Sequence, residues 1–163
     1  MNVLIGCEYS GVVREAFAKR GHNAWSCDLL PSDQPTDKHY QGDIFDFIDG
    51  DWDLAIFHPP CTDLAISGAA HFPEKIKDGR QQRAIEFVER LYKCDIPRIC
   101  IENPVGVLST KSKLGKPTQY VQPYEYGHYE TKKTGLWLRG LDPLTPTDIK
   151  DLTGLPKKVT QRL

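Results

Sequence analysis

Val3-Leu4-Ile5-Gly6-Cys7-Glu8-Tyr9-Ser10-Gly11-Val12-Val13-Arg14-Glu15-Ala16-Phe17, continued past Gly21 to Asn23-Ala24-Trp25-Ser26-Cys27-Asp28, reads as strand, tight turn, helix and second strand. Val3 to Ile5 form an apolar run short enough for a buried strand. Val12, Val13, Ala16 and Phe17 recur at the spacing of one helix face, with Ser10 as the predicted N-cap and Gly21 as the stop. A strand, a crossover helix and a strand ending in an acid make a βαβ unit, which pairs its strands in parallel.

Outward from this unit the alternation continues. Residues 29–39, rich in proline, aspartate and serine, read as loop. Tyr40 to Asp43 read as a short third strand ending in an acid, and Ile44 to Ile48 as one helical turn. Asp53-Leu54-Ala55-Ile56-Phe57 is a fourth strand, delivered into His58-Pro59-Pro60-Cys61, where two prolines fix φ and forbid helix before each. Residues 62–78 contain Gly68 and Pro73 and read as a long loop, of which the mobile stretch Thr62 to Pro73 is a natural lid. Residues 80–92 are predicted as the clearest helix, capped by Asp78, with Ala84, Ile85, Val88, Leu91 and Tyr92 on one face.

Arg98-Ile99-Cys100-Ile101 forms strand five and ends in Glu102-Asn103-Pro104. Residues 119–122 and 135–138 read as two further strands, and little regular structure is expected beyond Leu141. The whole predicts one α/β domain over residues 1–163, a mostly parallel sheet with helices on both faces. Such sheets bind ligands at the carboxyl ends of their strands. Glu8, Asp28, Asp43, Cys61 and Glu102 each follow the end of a predicted strand, so all five face one rim.

A hydrophobic fraction of 39% and a charged fraction of 26% over 163 residues describe a folded domain with a proper core. Met1 leads straight into the first strand with no signal-peptide pattern and no run approaches a membrane span, so the expectation is cytoplasmic, host cytoplasm if a phage encodes it. The five cysteines contain no Cys-x-x-Cys pair and are read as reduced thiols, with Cys7, Cys27 and Cys100 as small core residues. A net charge of -1 gives no global basic field. Lys111, Lys113, Lys116, Lys132, Lys133, Arg139, Lys157, Lys158 and Arg162 nevertheless cluster, as a phosphate-tracking face or as ordinary solvated surface.

A thiol that merely filled core would not need a double-proline mount, so Cys61 is the candidate nucleophile and Glu102 its proton-handling partner. The turn Glu8-Tyr9-Ser10-Gly11 lacks the Gly-x-Gly-x-x-Gly and Walker patterns, which favours an amino-acid or nucleoside moiety over pyrophosphate. Asp28 stands where nucleotide-binding sheets hold ribose hydroxyls, and Asp43 is placed to accept from an adenine amino group.

The order of these motifs resembles the DNA cytosine-5 methyltransferases, whose nucleophile lies in Pro-Cys and whose acid lies in Glu-Asn-Val. Over residues 2–147 the chain is closest to the small cytosine methylase-like proteins of phages and prophages. The resemblance implies a Rossmann-like class I fold and S-adenosylmethionine as methyl donor, bound by Glu8, Tyr9, Ser10, Gly11, Asp28, Asp43 and Pro59. It further implies Cys61 and Glu102 as catalytic residues, with Asn103, Ser67, His128, Lys132 and Lys133 meeting the substrate and no metal. His128, Lys132 and Lys133 stand only approximately where the family carries an arginine motif.

The expected partner is DNA, with single strands and a free cytidine nucleotide left open and the target base flipped from any duplex. The chain has no room for a target-recognition domain. Its end at Gln161-Arg162-Leu163 suggests a truncated form, or one whose missing wall comes from a second copy or a partner. A Cys/His hydrolase, a zinc site and a deaminase fit the residues less well. The main rival is a non-catalytic module that binds S-adenosylmethionine, a nucleotide or a protein.

Overall fold

A computed structural model describes residues 1–155. Seven strands form one sheet: β1 (Asn2–Gly6), β2 (Asn23–Asp28), β3 (His39–Gln41), β4 (Leu54–Phe57), β5 (Ile99–Pro104), β6 (Gln119–Val121) and β7 (Thr134–Arg139). Their spatial order is β3-β2-β1-β4-β5-β7-β6. The first five pair in parallel, and β7 runs antiparallel to both β5 and β6. The sheet is therefore mixed yet mostly parallel, as expected, with β7 alone running against the other six strands.

Because successive strand residues point to opposite faces, β1 divides the core in two. Val3 and Ile5 join Ala24 and Leu54 under Val13 and Phe17 of α1 (Val12–Ala18). Leu4 points the other way and joins Ala55, Phe57, Ile99 and Ile101 under Ile85, Val88 and Leu91 of α3 (Arg80–Tyr92). Helices thus cover both faces, as expected. Gly6 is required where β1 meets β4, since a Cβ there would lie 2.4 Å from the Phe57 ring.

Two local readings are corrected. The cap of α1 is Gly11 at φ 76, not Ser10, and Arg14 rather than Ala16 faces inward, 1% exposed. Arg14 Nη1 donates to Ser26 Oγ (2.7 Å) and Ser32 Oγ (3.1 Å), pinning the loop after β2. Asp78 does serve α3, accepting from the Arg80 N–H at 3.0 Å, although Gly79 holds the capping position.

The segment after Cys61 is not an irregular loop throughout. It holds a 3-10 helix, Ile66–His71, followed by α2 (Phe72–Lys77). Pro73 lies in the first turn of α2, where the missing N–H would be unpaired anyway, so the residue read as a breaker acts as a start. A further short helix, α4 (Leu108–Lys111), follows β5. Beyond Leu141 the described chain carries no helix or strand, as expected, apart from a bridge between Tyr126 and Asp148.

Among the described residues no helix is long and apolar enough to cross a membrane. Lys157, Lys158, Arg162 and the chain end at Gln161-Arg162-Leu163 lie outside the described residues.

Candidate active site

The strand order reverses between β1 and β4, and a cavity of about 440 Å³ opens beside the carboxyl ends of β1 and β2. Asp28 and Asp43 line it, together with Ile44, Pro60, Ala84 and Phe87. Each aspartate spends one oxygen on its own turn: Asp28 Oδ1 accepts from the Leu30 N–H at 2.9 Å, and Asp43 Oδ1 from the Phe45 N–H at 2.9 Å. Among the described residues nothing engages their second oxygens, which can accept from a ligand's hydroxyl or amino donors. The volume and the apolar walls suit a nucleoside-sized group.

Arg80 and Arg83 also line the cavity, and sequence reasoning missed them. They lie in the first turn of α3, which begins on the side of the sheet where β4 ends. A helix following a strand in a βα unit starts at that edge, and this connectivity is the signal that could have found them.

The turn after β1 is arranged differently from the reading. Glu8 is 6% exposed and its carboxylate is spent on the start of α1: Oε1 accepts from the Val13 N–H (2.7 Å) and Ser10 Oγ (3.1 Å), Oε2 from the Arg14 N–H (3.2 Å). The cavity is lined at this point by Cys7 rather than by Glu8, Tyr9, Ser10 or Gly11, and by Pro60 rather than Pro59. Burial, with Asp28 nearby, pushes the Cys7 and Cys27 thiols up to about 12, and burial does the same to Cys100 beside Glu102. Those three stay neutral.

On the next strands, register does the assembling. Phe57 pairs with Ile101, so His58 comes beside Glu102 and Pro59 beside Asn103. His58 Nδ1 lies 2.8 Å from Glu102 Oε2, and Asn103 Nδ2 donates to the Pro59 carbonyl at 2.9 Å. The double-proline turn is thereby fastened to the end of β5. Cys61 follows it, half-buried, and its carbonyl accepts from Leu64 and Ala65. Its thiol makes no hydrogen bond among the described residues, and the carboxylate of Glu102 is engaged by His58 rather than by Cys61.

The segment beyond Cys61 is strapped on both sides. The Lys75 ammonium bonds the Thr62 carbonyl and lies 3.4 Å from Asp63 Oδ1; Gln81 Nε2 donates to the Asp63 carbonyl at 3.2 Å. Ile66 N–H donates to the Val105 carbonyl and Val107 N–H to the Leu64 carbonyl. This approach is close enough to demand Gly106, where a Cβ would lie 2.0 Å from the Leu64 oxygen. Ser67 is exposed on the 3-10 helix so held.

The basic residues separate. Lys132 and His128 are exposed, and Lys133 Nζ sits 4.5 Å above the Tyr120 ring. Arg139 instead donates inward to the carbonyls of Tyr92, Cys94 and Ile96 at 2.6 to 2.8 Å. It is a structural clamp, not part of a phosphate-tracking face.

No family model and no curated protein matches the chain. A solved structure described as a candidate DNA modification methyltransferase encoded within an E. coli prophage matches with a TM-score of 0.59 at 19% identity. The match covers 96% of this chain and 55% of that one, so this chain spans about half its length. The likeness is one of fold: a mixed α/β domain built on a seven-stranded sheet.

Proposed function

We propose that the protein transfers a methyl group from S-adenosylmethionine to C5 of a cytosine in DNA, through a covalent Cys61 adduct, on a Rossmann-like class I methyltransferase fold. The observation that carries this is the register of β4 and β5, which brings the Cys61 turn and Glu102 to neighbouring strand ends, while Pro60 of that turn lines a nucleoside-sized cavity shared with Asp28 and Asp43. The fold likeness to a chain described as a DNA modification methyltransferase supports it.

When bound, S-adenosylmethionine supplies an electrophilic methyl group. The residues present fit it: Asp28 and Asp43 line the cavity, each with a second carboxylate oxygen that no described residue engages, and Ile44, Pro60 and Phe87 offer apolar walls. Cys61 as thiolate adds its electron pair to C6 of the base, and the displaced π electrons make C5 nucleophilic. Glu102 hydrogen-bonds the N3 and amino edge, passing a proton to N3 as that edge gains charge. C5 then takes the methyl group; loss of the C5 proton to a base expels the thiolate and the N3 proton returns to Glu102.

Incubation with S-adenosylmethionine and DNA containing 5-fluorocytosine tests this, because fluorine at C5 blocks the final elimination. The expected result is a covalent complex that Cys61→Ser abolishes. Parallel arms with duplex DNA, single strands, RNA and free nucleotide assign the substrate. Cofactor binding without an adduct in any arm would identify a non-catalytic module instead.

A further inference from the structure

His58 has no role in the reaction as described above, yet it makes the most direct contact with the proposed acid. Its Nδ1 lies 2.8 Å from Glu102 Oε2, across adjacent strand ends whose register leaves little freedom in the approach. The two side chains are 26% and 28% exposed, so the pair is reached by solvent rather than sealed in the core. The other ring nitrogen is different: Nε2 is buried from solvent and has no hydrogen-bond partner among the described residues.

We infer that His58 is the positioning residue for Glu102, fixing which carboxyl oxygen meets the base. A proton on Nε2 would be a buried donor facing no acceptor, a costly arrangement. With a proton on Nδ1 the ring donates to Oε2. An oxygen that accepts this bond cannot at the same time present a proton along it. Any proton held by Glu102 then resides on Oε1, and Oε1 is the oxygen left for the N3 and amino edge of the substrate. The imidazole also holds the carboxyl plane still, and small misplacements of a reacting group cost about a hundredfold in rate.

Among the described residues no other side chain bonds the Glu102 carboxylate. Asn103, the next residue of β5, directs its amide to the Pro59 carbonyl instead. The other polar group near Glu102 on its own strand is the Cys100 thiol, which burial and Glu102 hold neutral at about 12.

The inference rests on the methylation reading, and the experiment keeps the two apart. Single-turnover adduct formation on 5-fluorocytosine DNA is compared for the wild type, His58→Ala and His58→Asn, with KM for DNA and for S-adenosylmethionine measured alongside. Asparagine can place an amide N–H near the position of Nδ1. The expected result is a loss of about tenfold to hundredfold in rate for His58→Ala, KM values within about threefold of wild type, and recovery of most of the rate in His58→Asn. A His58→Ala rate within twofold of wild type, a His58→Asn no faster than His58→Ala, or a loss confined to KM would overturn the inference.

Imidazole nitrogen chemical shifts provide a readout that needs no turnover. They are expected to show the Nδ1-protonated tautomer in the wild type and its loss in Glu102→Ala. An Nε2-protonated ring in the wild type defeats the inference even if methylation is real. The expected tautomer in a protein that never forms an adduct upholds the pair and rejects the methylation reading.

Discussion

The amide of Asn103 reaches across from β5 to the carbonyl of Pro59, 2.9 Å away and fully buried, and so ties the turn that carries Cys61 to the strand that carries Glu102. Pro59 cannot pair with β5 through an N–H it lacks, so a side chain makes the connection that the ladder cannot.

Asn103→Ala is expected to leave the Pro59 carbonyl buried and unpaired, at about 1–3 kcal/mol. For a domain of this size that corresponds to roughly 2–4 °C in Tm per kcal/mol. Adduct formation should fall by more than the stability loss explains, because the Cys61 turn loses its anchor. Calorimetry and single-turnover trapping on the same samples check this; an unchanged Tm would show the bond to be dispensable.

Lys75→Met keeps the length of the side chain and removes the ammonium that bonds Thr62 and faces Asp63. The segment between Cys61 and α2 should then open locally, by about 1–3 kcal/mol. Limited proteolysis is expected to cut within residues 62–71 in this variant well before the wild type, while S-adenosylmethionine affinity in calorimetry stays within about twofold. Lys75→Arg should restore part of the protection.

Asp28→Asn and Asp43→Asn each retain an oxygen that can accept the turn N–H and replace the other acceptor with a donor. If the cavity holds the nucleoside part of the cofactor, each change weakens S-adenosylmethionine binding about tenfold, roughly 1.4 kcal/mol. Binding of wild-type strength in both variants would place the cofactor elsewhere.

The neutral thiols make a prediction about pH. Cys7, Cys27 and Cys100 are raised from 9.0 to about 12 in the folded protein, chiefly by burial. Between those values the unfolded chain binds fewer protons than the native one, so these groups' stabilisation is complete below pH 9 and is lost as pH rises toward 12. The fall of Tm between pH 9 and 11 should be shallower in a Cys7→Ala, Cys27→Ala, Cys100→Ala variant, whatever its Tm at neutral pH. Equal slopes would contradict the burial of these thiols.

What could be read from the chain were the local periodicities: the βαβ opening, the helix over residues 80–92, and acids or a thiol delivered just past strand ends. Those depend on patterns of a few residues, which short-range sterics and burial enforce wherever the segment goes. The reversal of β7, the helical turns after Cys61, the burial of Arg14 and the presence of Arg80 and Arg83 at the cavity were not legible. Each depends on which element lies beside it. Glu8 shows the difference well: its position after a strand suggested a ligand contact, but only the packed turn shows its oxygens consumed by the N–H groups of α1. The same holds for His58 and Glu102, 44 residues apart in sequence. Strand pairing, a long-range choice made by the whole sheet, is what sets their atoms face to face.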